Sequence, residues 1–338
     1  MKVFPTLPKP YDDREYGASY LGDALTLLDT IPDNSIDLVL TSPPFALTRE
    51  KEYGNKSSDK YVEWFLPFAR KIKDKLCETG SFILDLGGAY LPGAPARSIY
   101  QFEVLVHLCR ELNFILAQEF YHYNPSRLPA PAEWVNVRRC RVKDSVNVVW
   151  WLARTKFPKA DNRKVLKEYS ASMKSLLRKG YKAKKRPSGH DISTKFSKDN
   201  GGAVSSNVIG LEHFEPSNLL SIANTESNSA YLRRCREQNI TPHPARFPVF
   251  FAEYFIKFLT DEFDVVLDPF AGSNSTGFAA NSLKRRWVSF ELSEEYLRGA
   301  KLRFERAPED NLHTRDTKTP MTKGLFSDSE KTINAKAK

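Results

Sequence analysis

The stretch Asp264-Val-Val-Leu-Asp-Pro-Phe-Ala-Gly-Ser-Asn-Ser-Thr-Gly277 changes abruptly from apolar residues to small and polar ones. The apolar run ends on Asp268 and predicts a buried strand, and the small residues after it predict a turn into a helix over 278–283. A strand followed by small residues and a helix N-terminus is how α/β sheets bind ligands at the carboxyl ends of their strands. The stretch therefore predicts an α/β fold with a ligand site at this strand end.

The next strand, Trp287-Val-Ser-Phe-Glu291, ends on a carboxylate that is suited to binding ribose hydroxyls. The turn is neither GxGxxG nor a phosphate-binding GK[ST] loop, because Ser273-Asn274 follows Gly272. The pattern favours a nucleoside cofactor without a pyrophosphate. A Gly/Ser loop that only caps a helix is the alternative reading of the turn.

Apolar strands alternate with helix-periodic segments along most of the chain, which is typical of a mostly parallel sheet covered on both faces. We expect strands at 19–21, 36–40, 81–88, 114–123, 145–153, 264–267 and 287–291. We expect helices at 61–76, 98–112, 245–259, 278–283 and 293–304, and a short one ending at Leu28. Because one sheet must hold them all, we expect strand 19–21 beside strand 287–291, which would bring Asp23 close to Glu291.

A second strand, Ile36 to Leu40, runs into Thr41-Ser-Pro-Pro-Phe45. Two prolines in succession make a stiff, extended exit that donates no backbone N–H. Ser42 and the proline carbonyls are then left as hydrogen-bond acceptors at a strand end. Taken alone, two prolines indicate only a loop.

Positive charge is concentrated in one segment. The 338 residues carry a net charge of +10, and 14 Lys and Arg residues lie between Lys156 and Lys198, which accounts for the whole surplus. Few acidic residues accompany them, so the segment predicts a polyanion-binding surface rather than a solvated helix face. We place its centre at Lys184, Lys185, Arg186, Ser188 and His190.

Other composition signals restrict the class of protein. The four cysteines are far apart and the histidines show no ligand spacing, which predicts a reducing, cytoplasmic location and no metal site. No run of 18 apolar residues predicts a membrane span, and the first residues contain no apolar signal core.

Together the two motifs resemble the amino-methylating DNA methyltransferases of restriction–modification systems, and within them the N4-cytosine group, whose motif is (T/S)SPP(Y/F). The similarity covers about Tyr20 to Phe304 and includes the stretches TSPPFALTREKEYGN, FYHYNPSRLP, RPSGHDIS, NTESNSAYLR and HPARFP. It implies the S-adenosylmethionine-dependent methyltransferase fold, an α/β fold with a mostly parallel seven-stranded sheet and an inserted basic target-recognition region. The catalytic motif precedes the cofactor motif, which is the circularly permuted order of the beta group.

The resemblance also implies a role for individual residues. S-adenosylmethionine is the implied cofactor, and the residues implied to bind it are Asp268, Pro269, Phe270, Gly272, Ser273, Glu291, Asp23, His243 and Pro244. The implied catalytic residues are Ser42, Pro43, Pro44 and Phe45, with Asp85 and Gly87 beside the target base. Asn274 departs from the family pattern, where glycine is commoner. Tyr121 and Tyr123 are expected in the core.

The chemistry fits these residue types. An exocyclic amine is a poor nucleophile, so it must be aligned with the methyl donor while its hydrogens face acceptors. Ser42 Oγ and the Pro43 carbonyl are such acceptors, and Phe45 offers a face for stacking a base taken out of the duplex. Cytosine-C5 chemistry needs a cysteine after a proline, and no cysteine here follows one.

The predicted organisation is an arm at 1–17, a catalytic half at 18–155, a basic recognition region at 156–244, a cofactor half at 245–307 and a disordered tail at 308–338. The predicted partners are double-stranded DNA, with CAGCTG as the target implied by the resemblance, and a cognate restriction endonuclease. Adenine-N6 methylation, a non-catalytic DNA-binding protein on this scaffold and an RNA substrate are the alternatives. The oligomeric state stays open, and a monomer suffices for half-modified sites.

Overall fold

The computed structural model describes residues 3–46, 56–124, 127–180, 198–209 and 230–305. The described residues up to Phe304 belong to one compact unit, and Glu305 is the last residue that the structure describes. The predicted tail and the predicted DNA-contacting residues Lys184 to His190 therefore lie outside the described part of the chain.

One mixed sheet organises the described residues. Its strands in chain order are β1 (Asp12–Asp13), β2 (Gly17–Leu21), β3 (Ile36–Thr41), β4 (Leu76–Leu86), β5 (Ile115–Tyr123), β6 (Val146–Ala153), β7 (Val208–Ile209), β8 (Val265–Asp268) and β9 (Arg286–Glu291). The spatial order is β1-β2-β9-β8-β3-β4-β6-β5-β7. Seven strands have four or more residues, and β1 and β7 add two residues at each edge. Among the seven, β6 alone runs in the direction opposite to the others. The predicted fold class is confirmed.

Helices cover both faces of this sheet. In chain order they are α1 (Ala24–Asp29), α2 (Tyr61–Lys75), α3 (Tyr100–Arg110), α4 (Ala171–Lys179), α5 (Ala230–Glu237), α6 (Val249–Leu259), α7 (Ser275–Ser282) and α8 (Glu294–Lys301). Apolar residues of α1, α2 and α3 pack in one core cluster, and those of α6 and α7 pack in another. Successive residues of β3 divide between them, since Val39 belongs to the first cluster and Leu38 and Leu40 to the second. This alternation is expected of strands buried on both faces.

Two helix starts differ from the prediction. Helix α6 begins at Val249 instead of 245, because Pro248 is its extended N-cap and disfavours helical geometry in the residue before it. Helix α7 begins at Ser275 instead of 278, because Asn274 adopts a left-handed conformation (φ 55°) and its Oδ1 accepts a hydrogen bond from Gly277 N at 3.0 Å. The unusual residue of the loop is thus the helix cap.

The expectation that the two ends of the domain lie next to each other in the sheet is confirmed. Strand β2 pairs in parallel with β9, with Leu21 opposite Glu291. The backbone N–H of Gly22 continues this ladder by donating to the Glu291 carbonyl at 3.0 Å. Asp23 follows directly as the N-cap of α1, where its side chain accepts from Thr26 N.

The remaining described segments pack against this frame. Phe4 and Leu7, within the predicted arm, are buried in the first core cluster. Within the predicted recognition region, β7 pairs with β5, and Tyr231 and Cys235 of α5 form a small cluster with Leu302. The region therefore contributes an edge strand, which the sequence analysis did not expect. Over the described ranges, no helix combines the length and the apolar character needed to cross a membrane.

A buried carboxyl group joins the strand of the Ser-Pro-Pro motif to the strand of the glycine loop. Asp268 is 1% exposed, and it accepts hydrogen bonds from Thr41 Oγ1 at 2.6 Å and Thr276 Oγ1 at 2.7 Å. The Phe270 backbone N–H donates to the same side chain at 3.1 Å. One side chain thus fixes β3, β8, the glycine loop and the first turn of α7 relative to one another.

We predict that Thr276→Val lowers the free energy of unfolding by about 1–3 kcal/mol, because it removes one donor from a buried carboxyl group while keeping the shape of the side chain. Urea denaturation of the purified protein measures the change. Ser282→Ala in the last turn of the same helix, where the hydroxyl is exposed and bonds only a helix carbonyl, is the matched control and should change stability by less than about 0.5 kcal/mol. Equal losses in both variants would contradict the role assigned to Asp268.

Candidate active site

A cavity of about 680 Å³ opens at the carboxyl ends of the parallel strands. It brings together most of the residues that the sequence singled out, namely Asp23, Ser42, Pro43, Pro44, Phe45, Asp85, His243, Pro244, Pro269, Phe270, Gly272, Ser273 and Glu291. Asp268 and Gly87 lie behind its wall, and the five predicted DNA-contacting residues lie outside the described part of the chain. The two motifs, more than 200 residues apart in sequence, thus face one space.

The catalytic motif leaves β3 at the centre of this cavity. Ser42 follows Thr41, and its Oγ donates to Asp85 Oδ2 at 3.3 Å across the neighbouring strand β4. The Pro44 carbonyl is already occupied, since it accepts from Tyr61 OH at 2.8 Å. This bond anchors the second proline to helix α2 and leaves Ser42 and Pro43 facing the cavity.

Asp85 is a buried carboxyl group at the cavity wall, only 3% exposed. Burial raises its pKa to about 7, although the Ser42 hydroxyl and the positive charge of Arg127 oppose the rise. Its Oδ1 is buried, and no described donor reaches hydrogen-bond distance of it. Such a carboxyl group is poised to accept a proton near neutral pH.

Gly87 acts through packing, not as part of the cavity lining. A Cβ atom on Gly87 would lie 2.4 Å from Cε2 of Phe45, so only glycine leaves room for that ring. The carbonyl of Gly87 accepts a hydrogen bond from Tyr100 OH. Gly87 therefore sets the position of Phe45, which lines the cavity, and its place beside the target base stays a prediction.

The glycine loop and Glu291 form the other half of the cavity. Gly272 has φ +51°, and a Cβ atom there would lie 3.1 Å from the ring of His243. Glu291 holds the loop, because its Oε2 accepts from Gly272 N at 2.8 Å and its Oε1 from Ser293 N at 2.9 Å. Burial raises the pKa of Glu291, while these backbone N–H groups lower it. Each oxygen retains a lone pair, so the carboxylate can still accept two hydroxyl donors.

His243 lies against this loop as a neutral ring. Burial lowers its pKa to about 4, and the positive charges of Arg246 and Arg303 act in the same direction. Its ring packs edge to face against Tyr296 with ring centroids 4.4 Å apart, and its Nδ1 forms a hydrogen bond with the backbone carbonyl of Ala245. A neutral imidazole adds no charge that would repel a cationic ligand.

Asp268 is not among the residues that line the cavity, and its predicted contact with the cofactor stays a prediction. Its two oxygens are used within the protein by Thr41 and Thr276, and burial raises its pKa to about 6. The residue therefore positions the loop from below. Nearby aromatic rings line the wall above it: Phe270 lies 5.0 Å from Phe68 and 5.9 Å from Trp64 between ring centroids.

Several lining residues were missed by the sequence analysis. They come from β5, β6 and the segments beside them, and are His122, Asn124, Arg127 and Asn147. His122 is buried, whereas its neighbours Tyr121 and Tyr123 are only half-buried, so the expectation that these tyrosines are core residues is wrong. The Tyr121 hydroxyl instead bonds Glu119 on the exposed side of the strand. The stretch FYHYNPSRLP contains His122, Asn124 and Arg127, but its sequence does not show which of its side chains face the cavity, and Asn147 lies outside it on β6.

Comparisons with known proteins agree with this geometry. The family model for DNA methylases matches residues 36–302. The type II methyltransferase M.PvuII of Proteus hauseri is 51% identical over 299 residues, which are 88% of this chain and 86% of that protein. M.BglII of Bacillus subtilis is 24% identical over 93% of this chain and 76% of its own length.

A solved structure supports the same relation. The PvuII DNA methyltransferase, described as cytosine-N4-specific, superimposes with a TM-score of 0.70 at 43% identity, covering 89% of this chain and 90% of that one. The expected family resemblance is confirmed. The chain belongs to the DNA methylase family.

Proposed function

We propose that the protein transfers a methyl group from S-adenosylmethionine to the exocyclic N4 amine of a cytosine in duplex DNA. The observation that carries the proposal is the cavity itself: Ser42 and Asp85 face the glycine loop and Glu291 across one space. The cytosine-N4-specific relative supports the choice of base, since the chain is 43% identical to it in the structural superposition.

The residues present fit S-adenosylmethionine. Glu291 has acceptor capacity for the ribose hydroxyls, and Gly272 leaves the backbone open to close approach. Asp23 reaches the same cavity from the neighbouring strand end and carries acceptor oxygens for an adenine amine. The neutral His243 and the rings of Phe270 and Trp64 give the cavity wall an uncharged surface. When bound, the cofactor supplies an electrophilic methyl group on a sulfonium sulfur.

The chain's own residues prepare the amine. Ser42 Oγ and the Pro43 carbonyl accept its hydrogens and hold the nitrogen lone pair toward the methyl donor. Phe45, held by Gly87, stacks on the base once it has left the duplex. As the nitrogen gains positive charge, Asp85 stabilises it, and Asp85 then takes one amine proton, directly or through the Ser42 hydroxyl.

The extent of the similarity supports more specific proposals about the target sequence, the partner protein, the active form and the location. The match to M.PvuII spans 88% of this chain, so it includes most of the basic region 156–244, which we assign to target recognition within the predicted domain order. We assign CAGCTG as the target, a cognate restriction endonuclease as the functional partner, a monomer as the sufficient active form and the cytoplasm as the location. The four cysteines are free, in keeping with a reducing compartment.

The function predicts one modified nucleoside. After incubation with S-adenosylmethionine and unmethylated plasmid DNA, mass spectrometry of the digested DNA should find N4-methylcytosine, and the plasmid should resist a nuclease that cuts CAGCTG. Ser42→Ala should reduce the yield at least about 100-fold, because the amine loses an acceptor that acts in the transition state. The surface variant Ser172→Ala is the control.

Other products identify the alternatives. N6-methyladenine would preserve the fold and cofactor but overturn the assigned base. DNA binding without methyl transfer would identify a non-catalytic DNA-binding protein. N4-methylcytosine in a plasmid that the nuclease still cuts would overturn CAGCTG alone.

We predict that the rate of methyl transfer falls as the pH drops through about 7. The pKa of Asp85 is raised, so below this value the carboxyl group is protonated and cannot accept the amine proton; each further pH unit should cost about tenfold. Single-turnover rates between pH 5.5 and 8.5 measure this acid limb of the pH–rate profile. Asp85→Asn should abolish it together with most activity. A limb near pH 6 that survives in Asp85→Asn would point to Asp268 instead.

Gly272→Ala should weaken S-adenosylmethionine binding at least about tenfold in a calorimetric titration. A methyl group there is strained at φ +51° and pushes into the His243 ring, which displaces the loop. Gly93→Ala is the matched control, because Gly93 has φ +70° but open space around it, so the backbone strain is similar and the cavity is untouched. Unchanged affinity in Gly272→Ala would remove this loop from the cofactor site.

A further inference from the structure

A row of polar side chains crosses four neighbouring strands at the cavity. Ser42 follows β3, Asp85 lies on β4, Asn147 on β6 and His122 on β5. Asp85 pairs with Val149, so Asn147 is its diagonal neighbour on the same face, and His122 lies directly opposite Asn147. The row begins at the proposed amine acceptors and continues away from them along the wall.

The amide of Asn147 has a defined orientation. Arg127 Nη1 donates to Asn147 Oδ1 at 2.9 Å, and a guanidinium can only donate. The carbonyl side of the amide must therefore face Arg127, and its NH₂ side faces the other way. The NH₂ group also approaches Asp85 and lowers the pKa of that carboxyl group. Two N–H bonds are available there, so one remains for a ligand in the cavity.

The resulting order along the wall is acceptor, donor, donor. Ser42 and Asp85 accept, Asn147 donates next to them, and the guanidinium of Arg127, which also lines the cavity, donates beyond. The Watson–Crick edge of cytosine presents the complementary order, with the N4 amine as donor and N3 and O2 as acceptors. Adenine matches at its N6 amine and N1 but carries a C–H bond in the place of O2.

We propose, on the basis of the function proposed above, that Asn147 reads N3 of the target base and that Arg127 reads O2 and thereby selects cytosine against adenine. Adenine in this cavity would leave the Arg127 donor without an acceptor. A site that has been built to hydrogen-bond a group rejects a ligand lacking it strongly, because its own buried polar groups are then unpaired. Ser42 prepares the amine of either base, whereas Arg127 distinguishes the two.

The test compares methyl transfer to duplexes that carry cytosine, adenine or 3-deazacytosine at the target position, measured as kcat/KM. Arg127→Met keeps the apolar stem of the side chain and removes its donors. We expect about a 10- to 100-fold loss on cytosine and no loss on adenine, so the cytosine preference falls by the same factor. Arg138→Met, which removes an exposed guanidinium paired with Glu133 on the surface, should change neither rate.

Asn147→Ala is tested with the analogue that lacks the N3 acceptor. Replacing the target cytosine by 3-deazacytosine should lower kcat/KM of the wild-type enzyme about 10- to 100-fold. It should not lower kcat/KM of the Asn147→Ala variant any further, since that variant already lacks the interaction with N3. S-adenosylmethionine affinity, which a misfolded variant would lose, should be unchanged in both variants.

Two results would overturn the proposal. The first is that Arg127→Met lowers kcat/KM on cytosine and on adenine equally. The second is that 3-deazacytosine lowers kcat/KM of Asn147→Ala by the same factor as that of the wild-type enzyme. A wild-type enzyme that methylates adenine and not cytosine would instead overturn the proposed function itself. Intact cytosine methylation with unaltered selectivity in the variants would overturn only the roles of Arg127 and Asn147.

Discussion

The geometry of the cavity depends on the buried Asp268 carboxyl group and its two threonine donors. Thr41 immediately precedes Ser42, and Thr276 lies in the first turn of the helix that follows the glycine loop, so one side chain holds both halves of the site. Reaction between an amine and a methyl donor requires alignment to within a fraction of an ångström, which surface loops alone hold poorly. Burying a carboxyl group costs free energy, as its pKa of about 6 indicates, and three hydrogen bonds offset that cost. The residue therefore holds both halves of the site in place although it does not itself line the cavity.

Charge in the cavity is distributed unevenly. The carboxyl groups of Asp85 and Glu291 both have raised pKa values because of burial, and the imidazole of His243 has a lowered one for the same reason. Burial thus suppresses whichever charge each group would carry in water. A cationic donor and an amine that becomes cationic both fit this environment, which offers acceptor oxygens and a neutral ring. Arg127 is the cationic side chain that lines the cavity beside Asp85, and its guanidinium lies beyond Asn147 along the wall.

Much of this site could be predicted from sequence because its main residues sit at strand ends next to unusual backbone. Prolines at 43–44 and glycine at 272 mark where a parallel strand stops, and the carboxyl ends of such strands must share one edge. The residues of β5 could not be oriented in this way. Its pairing with β6 shifts register between Leu116 and Gln118. Consequently Phe114 packs in one core cluster and Phe120 in the other, although an even separation would place both on one face. The same shift turns His122 inward and leaves Tyr121 and Tyr123 half-buried.

The pairing of β2 with β9 has a consequence for synthesis on the ribosome. Strand β2, with Gly22 and Asp23 at its end, leaves the ribosome early, but its partner strand at Arg286–Glu291 is translated some 270 residues later. Until then, an apolar edge that includes Tyr20 has no neighbour in the sheet, although it is fully buried in the finished fold. Nascent domains generally fold as units once their parts are present. For this circularly permuted chain the cofactor half of the site can close only near the end of translation, so an incomplete chain could display the Ser-Pro-Pro motif and basic segment without being able to methylate DNA.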